Sequence, residues 1–255
     1  MHASRRLRVF AGPNGSGKST ILATLKEEWI GVYVNADEIE KTLRRQAVLD
    51  LAEFGIAPAR AASLRQHLQE STLLQKAGLA DEAERIRIEG QRIRFDGVEA
   101  NSYFAASLAD FIRRELVEQG ISFTFETVMS YHDKVDFMGE AQRRGYRTYL
   151  YFVATDDPLI NIGRVQQRVS EGGHPVEESK IVERYWRSIE LLGRAAEVAN
   201  RAYVFDNSGD EHVLIAEITD GSELKVHADE LPRWFTQSGL WMGFASAWAE
   251  SPGQS

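Results

Sequence analysis

The sequence predicts an α/β fold, a mainly parallel sheet flanked by helices, with a helical insertion and a late β-hairpin. Three observations carry this expectation. Short apolar runs alternate with segments of helical period, the pattern of parallel strands joined by crossover helices. The first apolar run passes through a Gly-rich turn into a helix. Near the C-terminus two strand-like runs are separated by Asp220-Gly221, a hairpin signal.

Taken in order, Leu7 to Ala11 (LRVFA) reads as a buried parallel strand, Ser19 to Trp29 as a helix with Ile21, Leu22 and Leu25 on one face, and Gly31 to Asn35 as a second strand. From about Glu38 to Gly120 the chain is rich in Ala, Leu, Arg, Gln and Glu. Phe104, Leu108, Phe111, Ile112 and Leu116 recur there at helical spacing, which predicts a mostly helical insertion. Within it, Asp81 to Phe95 is ambiguous between helix and a turn-linked strand pair. Ile121 to Glu126 alternates like a strand. Ser130 followed by Asp133 resembles a capping signal for a helix that stops at Gly145. Arg147 to Ala154 is a further strand, and Asp157-Pro158 marks a helix start. That helix ends at Gly172-Gly173, a long helix runs from about Val176 to Ala199, and Ala202 to Phe205 makes a short strand. His212 to Ile218 and Ser222 to Val226 form the late hairpin.

The chain has 255 residues and a formal net charge of −8, which argues against a surface that coats nucleic acid but leaves room for a local anion pocket. It has no cysteine, and so no disulfide, thiolate metal site or thiol nucleophile. No stretch is long and apolar enough to span a bilayer. The basic start, Met1 to Arg8, runs into a strand without a small-residue cleavage site and does not read as a signal peptide.

The chemistry is carried by Gly12-Pro13-Asn14-Gly15-Ser16-Gly17-Lys18-Ser19, an ungapped match to G-x-x-x-x-G-K-[ST] between strand and helix, with Thr20 following. Its glycines let successive backbone N–H groups converge on phosphate oxygens. Lys18 neutralises the β- and γ-phosphates, and the Ser19 hydroxyl is a Mg²⁺ ligand. A P-loop predicts nucleotide binding, not a reaction class.

Asp37 follows the second strand at its C-terminal end, where ligand-facing residues of such sheets sit. Position alone leaves two roles open: the base that takes the proton of an acceptor hydroxyl, or the cap of a helix starting at Glu38. Glu126 and Thr127 close the third strand, where Glu126 can hold an acceptor hydroxyl, help to order Mg²⁺, or simply face solvent. Arg164 and Arg168 lie four apart on one helix, Arg184 and Arg187 on the next, with Glu171-Gly172-Gly173-His174-Pro175 between them. Two arginine-bearing helices around a Gly-rich turn look like a small-kinase lid. The same charges also suit a solvated face with ion pairs to Glu183 and Glu190. His174 is a catalytic candidate or an exposed turn residue. Val169-Ser170-Glu171-Gly172-Gly173-His174 superficially resembles a transporter-ATPase signature, but Glu171 breaks the spacing. Trp234, Trp241 and Trp248, seven apart, fall near one helical stripe, which suits docking on the protein's own core or a partner surface.

Together GPNGSGKST (12–20), NADEI (35–39), FETVMS (125–130), GYRTYLYFVAT (145–155), NIGRVQQRVSEGGHPV (161–176) and YVFDNS (203–208) resemble the zeta-toxin family of P-loop kinases, in its chromosomal branch. The resemblance covers roughly Leu7 to Ser208. It implies transfer of phosphoryl from ATP or GTP to a sugar nucleotide, since zeta toxins phosphorylate the 3′-hydroxyl of the amino sugar in UDP-N-acetylglucosamine and so block cell-wall precursor synthesis. Carried over, it implies that Gly12 to Thr20 bind the nucleotide, with Ser19 on Mg²⁺ and Lys18 on the phosphates. Asp37 becomes the acceptor base. Glu126, Thr127 and Arg164 become acceptor- or substrate-side residues, and Arg168 and Arg184 the arginines that stabilise the transferring phosphoryl. The strand-three motif departs from the family's Glu-Gly-Thr, reading Glu126-Thr127-Val128, so the acceptor is the least constrained part.

The expectation is therefore an ATP-dependent small-molecule kinase with Mg²⁺, cytoplasmic, with a neutralising antitoxin, where one exists, as a separate chain. The expected layout is a P-loop kinase-like domain over 1–208, with the insertion at about 40–118 and the lid at about 158–187, then a hairpin and Trp-rich tail over 209–255. A regulatory module that binds and hydrolyses nucleotide and acts through a protein partner is the alternative. A kinase of nucleic-acid ends is disfavoured by the acidic balance.

Overall fold

A computed structural model describes residues 4–173 and 175–250. His174 lies outside the described residues. Ten strands occur among them: β1 (Arg6–Ala11), β2 (Val32–Val34), β3 (Val48–Asp50), β4 (Arg87–Glu89), β5 (Arg92–Arg94), β6 (Phe123–Thr127), β7 (Arg147–Ala154), β8 (Arg201–Asp206), β9 (Val213–Thr219) and β10 (Glu223–Val226). The α-helices are α1 (Lys18–Leu22), α2 (Glu27–Ile30), α3 (Ala36–Gln46), α4 (Pro58–Ala61), α5 (Leu64–Glu70), α6 (Thr72–Lys76), α7 (Ala80–Arg85), α8 (Ser102–Gln119), α9 (Asp133–Arg143), α10 (Pro158–Ser170), α11 (Glu178–Val198), α12 (Arg233–Thr236) and α13 (Gly239–Glu250). None of the described helices is long and apolar enough to cross a membrane. The chain divides into two compact units, Met1–Trp29 with Glu126–Ser255, and Ile30–Phe125.

In the first unit the sheet runs β10-β9-β8-β7-β1. β1 pairs parallel with β7 over Arg6↔Arg147 to Ala11↔Phe152, and β7 parallel with β8. β9 and β10 add antiparallel, the late hairpin expected from Asp220-Gly221. The apolar character of β1 and β7 matches their place in the core, where Leu7, Val9, Phe10, Leu150, Phe152 and Val153 have no exposed surface. On one face Phe10, Tyr151 and Tyr203 stack in a row, with ring centroids 4.6 and 5.1 Å apart. Ile21 and Val153 complete the core under the P-loop. Elsewhere Trp234 packs on Phe152 and donates its indole N–H to Asp206 Oδ1 at 2.8 Å.

The second unit holds β2 paired parallel with the start of β6, and a three-stranded antiparallel sheet, β3-β5-β4, among helices α3 to α8. The ambiguous stretch from Asp81 to Phe95 is helix first (α7), then a β4–β5 hairpin turning at Gly90, whose φ of 61° suits glycine. The five apolar residues predicted on one face of α8 are all buried.

Three local expectations are corrected. The helix after the P-loop is only five residues long, and α2 is separate. At the break the ladder changes to i→i−3 bonds: Ile21 O accepts from Thr24 N–H at 3.1 Å as well as from the Thr24 hydroxyl at 2.7 Å, and Leu25 N–H turns to Leu22 O at 3.0 Å. Ser130 does not cap α9; His132 occupies that position without a side-chain hydrogen bond. The tryptophans do not share one helix. Trp234 is in α12, Trp241 in α13 packs on Phe235, and the side chain of Trp248 lies outside the described residues.

Candidate functional site

The loop from Gly12 to Ser19 takes its shape from three glycines with positive φ, 139° at Gly12, 75° at Gly15 and 92° at Gly17. Space imposes the same choice. A Cβ on Gly12 would lie 2.0 Å from Val153 O, on Gly15 2.6 Å from Asn161 O, and on Gly17 2.0 Å from Asn207 Nδ2. With only five residues in α1, the helix dipole adds little, and binding of an anion falls to the loop's own N–H groups and to Lys18.

Four carbonyls of the loop are held by side chains. Lys18 Nζ donates to Gly12 O at 2.9 Å and Pro13 O at 3.0 Å. Asn161 Nδ2 donates to Asn14 O at 2.6 Å, and Asn207 Nδ2 to Ser16 O at 2.8 Å. Asn161 is fully buried on α10. Its Oδ1 accepts from the buried Thr155 hydroxyl, so its amide nitrogen is the group that faces the loop. Thr155 O in turn accepts from the Tyr185 hydroxyl of α11 at 2.6 Å, in a setting where burial pushes the Tyr185 phenol up, with Asp156 adding to it. Within the loop the buried Ser16 Oγ and Asn14 Oδ1 have no hydrogen-bond partner among the described residues. A Gly-rich cradle whose Ser16 hydroxyl is a donor without a partner among the described residues fits the phosphates of a nucleotide; Asn14 Oδ1, an acceptor, adds nothing to that fit.

Ser19 Oγ donates to Glu126 Oε1 at 3.3 Å, so the end of β6 meets the end of the P-loop. A hydroxyl beside a carboxylate is an oxygen donor set that suits Mg²⁺. Thr127 turns its hydroxyl to its own chain, accepting from Met129 N–H at 2.9 Å where Met129 has φ 51°. The loop that follows is pinned to α11: Ser188 Oγ donates to Val128 O at 2.8 Å, and Arg187 donates to the Tyr131 hydroxyl at 3.2 Å with its guanidinium over the ring. Arg184 lies three residues earlier on that helix and is half-buried, while Arg168 on α10 is exposed. Arg164 is engaged with backbone, donating to Asn207 O at 2.7 Å and Gly209 O at 3.4 Å. Thr20 is exposed near the start of α1.

Asp37 belongs to the second unit, in the first turn of α3, and is exposed. The helix begins at Ala36, and its cap is Asn35, which accepts from Asp37 N–H at 2.8 Å and Glu38 N–H at 3.4 Å. The capping role that position left open for Asp37 is therefore taken by its neighbour.

Sequence reasoning gave no role to Asn161, Asn207, Thr155 or Tyr185. Asn161 and Asn207 do lie inside the stretches 161–176 and 203–208, but a strand-end or helix asparagine looks the same in sequence whether it caps, turns or reaches across the fold.

A sequence model of the zeta-toxin family matches residues 96–218. An uncharacterised Haemophilus influenzae protein is 29% identical over 69 residues, 27% of this chain and 49% of that protein, so the chain matches about half the length of that curated relative. Among solved structures, one from the PezAT chromosomal toxin–antitoxin system of the human pathogen Streptococcus pneumoniae superposes with a TM-score of 0.52 at 17% identity, covering 98% of this chain and 87% of that one. The AvrRxo1-ORF1:AvrRxo1-ORF2 complex with sulphate ions gives 0.51 at 17% identity, over 88% of this chain and 61% of that one. The same complex with ATP gives 0.50 at 16%, over 100% and 66%. These likenesses are to the mixed α/β fold with a mostly parallel sheet.

Proposed function

We propose that this zeta-toxin-like chain is an ATP-dependent kinase that phosphorylates a hydroxyl of a small-molecule acceptor, with a sugar nucleotide such as UDP-N-acetylglucosamine as the first candidate. The observation that carries the reading is the P-loop itself, a glycine cradle with its Asn14 and Ser16 carbonyls tied by Asn161 and Asn207 and Ser19 set against Glu126. The family match over 96–218 and the fold shared with an ATP-bound AvrRxo1 complex support a kinase over a purely structural phosphate binder.

In this reading Gly12 to Thr20 hold the phosphates, with Pro13, Asn14 and Ser16 shaping the cradle. Lys18 exchanges its carbonyl partners for phosphate oxygens. Ser19 and Glu126 would hold Mg²⁺, which would supply positive charge to neutralise the phosphates. Asp37 accepts the proton of the acceptor hydroxyl as its oxygen bonds to the γ-phosphorus and ADP departs. Arg168 and Arg184 balance charge on the moving phosphoryl. Thr127 shapes the acceptor-side loop through Met129, and Arg164 acts through the backbone it grips. The matched PezAT and AvrRxo1 structures belong to two-component systems, which supports a separate antitoxin-like partner for this chain as well.

The test is incubation with γ-labelled ATP or GTP and a panel of sugar nucleotides, repeated with Asp37→Asn. Label on an acceptor, reduced about a hundredfold or more in the variant, is the expected result. Release of inorganic phosphate alone, unchanged by Asp37→Asn, would overturn the assignment of the base and favour a nucleotide-hydrolysing regulatory module.

A further inference from the structure

We propose that Asn161 and Asn207 are positioning residues that aim the P-loop amides at the nucleotide phosphates; this rests on the kinase reading only in taking those phosphates as the ligand. In a trans peptide the carbonyl and the following N–H point in opposite directions, and no cis peptide occurs among the described residues. A side chain that ties a loop carbonyl outward therefore turns the next N–H inward. Asn161 ties Asn14 O and so directs Gly15 N–H; Asn207 ties Ser16 O and so directs Gly17 N–H.

The two clamps are joined. Asn161 and Arg164 lie three apart on α10. Asn161 grips the loop directly, and Arg164 donates to the carbonyl of Asn207, which grips it from the end of β8. Asn207 is further fixed by its own N–H, which donates to Ala154 O at 2.8 Å. Thr155 holds the Asn161 amide in register from the end of β7. One helix and two strand ends thus set the loop from its carbonyl side, and leave the amide side to the phosphates.

The clamps also explain why glycine is needed where they act. The side of Gly17 on which a Cβ would project is filled by the Asn207 carboxamide, and that of Gly15 by the Asn161 backbone.

Asn161→Asp and Asn207→Asp keep shape and acceptor oxygen but remove the donor to the loop; because each also adds a negative charge, the neutral Asn161→Leu and Asn207→Leu are measured beside them and should show the same losses. Mg²⁺–ATP binding, measured by calorimetry without any acceptor, should weaken about tenfold or more in each, while adenosine binding stays as in wild type. In protein labelled with ¹⁵N-glycine, the Gly15 amide shift on ATP addition should shrink in Asn161→Asp, and that of Gly17 in Asn207→Asp. Arg164→Gln, which leaves both asparagines in place, should weaken ATP binding by a smaller factor and disturb Gly17 more than Gly15. Wild-type ATP affinity and wild-type glycine shifts in folded variants would overturn the proposal. So would an equal loss of ATP and adenosine binding, which marks general damage. Failure of the kinase reading looks different: intact ATP binding by the wild type with no phosphorylated product.

Discussion

At Gly17 a dihedral of 92° and a neighbouring amide 2.0 Å from where a Cβ would sit impose the same residue twice. Gly17→Ala should therefore cost both fold and ligand, with about 1–3 kcal/mol of strain and a loss of ATP affinity that follows displacement of Asn207. Gly163 provides the contrast. It lies in α10 with nothing within 4 Å of its would-be Cβ, and Gly163→Ala should stabilise by about 0.5–1 kcal/mol. Paired thermal melts with and without Mg²⁺–ATP separate the two cases. Asp37 shows the opposite kind of legibility. Its residue type suited a base and a cap equally, and only the start of α3 at Ala36 assigned the cap to Asn35.

Among elements, α10 is the one whose placement matters most. Its start is written in Asp157-Pro158: the Asp157 carboxylate accepts from Leu159 N–H at 2.8 Å, and the proline needs no partner at the first helical position. Asp157→Ala should lower stability by about 1 kcal/mol and, by fraying the turn that carries Asn161, raise the KM for ATP more than it lowers kcat. Where α5 meets α8, a ring nitrogen of His67 hydrogen-bonds with Ser107 O, 3.0 Å away, and the ring packs edge-on to Phe111. Burial pushes its imidazole below the ordinary 6.5, against the opposing pull of Asp110 and with Arg114 and Arg113 adding to the depression. The folded histidine then refuses a proton that the unfolded one accepts. Its contribution is present above pH 6.5 and lost as pH falls below it. Urea midpoints should drop more for the wild type than for His67→Gln on going from about one pH unit above that value to about one below; equal drops would remove His67 as the source.

For the whole molecule, ligand linkage gives the broadest check. At about 100 times its dissociation constant, Mg²⁺–ATP should stabilise the folded chain by about 2.7 kcal/mol, read as a rise in Tm. Lys18→Ala should erase that rise while leaving the ligand-free melt close to wild type, because Lys18 is only half-buried and its ammonium holds loop carbonyls at the cradle.

The strands of the main sheet, the P-loop and the late hairpin were legible in the chain because each follows from local periodicity, glycine and proline chemistry, or the ungapped motif over 12–19, whereas β3 and its sheet with β5 and β4 lie in a stretch read as mostly helical. β7 falls on the predicted Arg147 to Ala154, bounded by Gly145 before it and the Asp157 cap after it. The short α1 was not legible, since the change to i→i−3 bonds at Thr24 and Leu25 falls inside a stretch whose apolar residues keep helical spacing. Nor was the setting of the P-loop. Asn161 stands 147 residues beyond Asn14, and Asn207 stands 191 residues beyond Ser16. Their amides reach those carbonyls only after β1, β7 and β8 lie side by side. A contact between such distant residues is made by the packing of the sheet and leaves no local pattern in the chain.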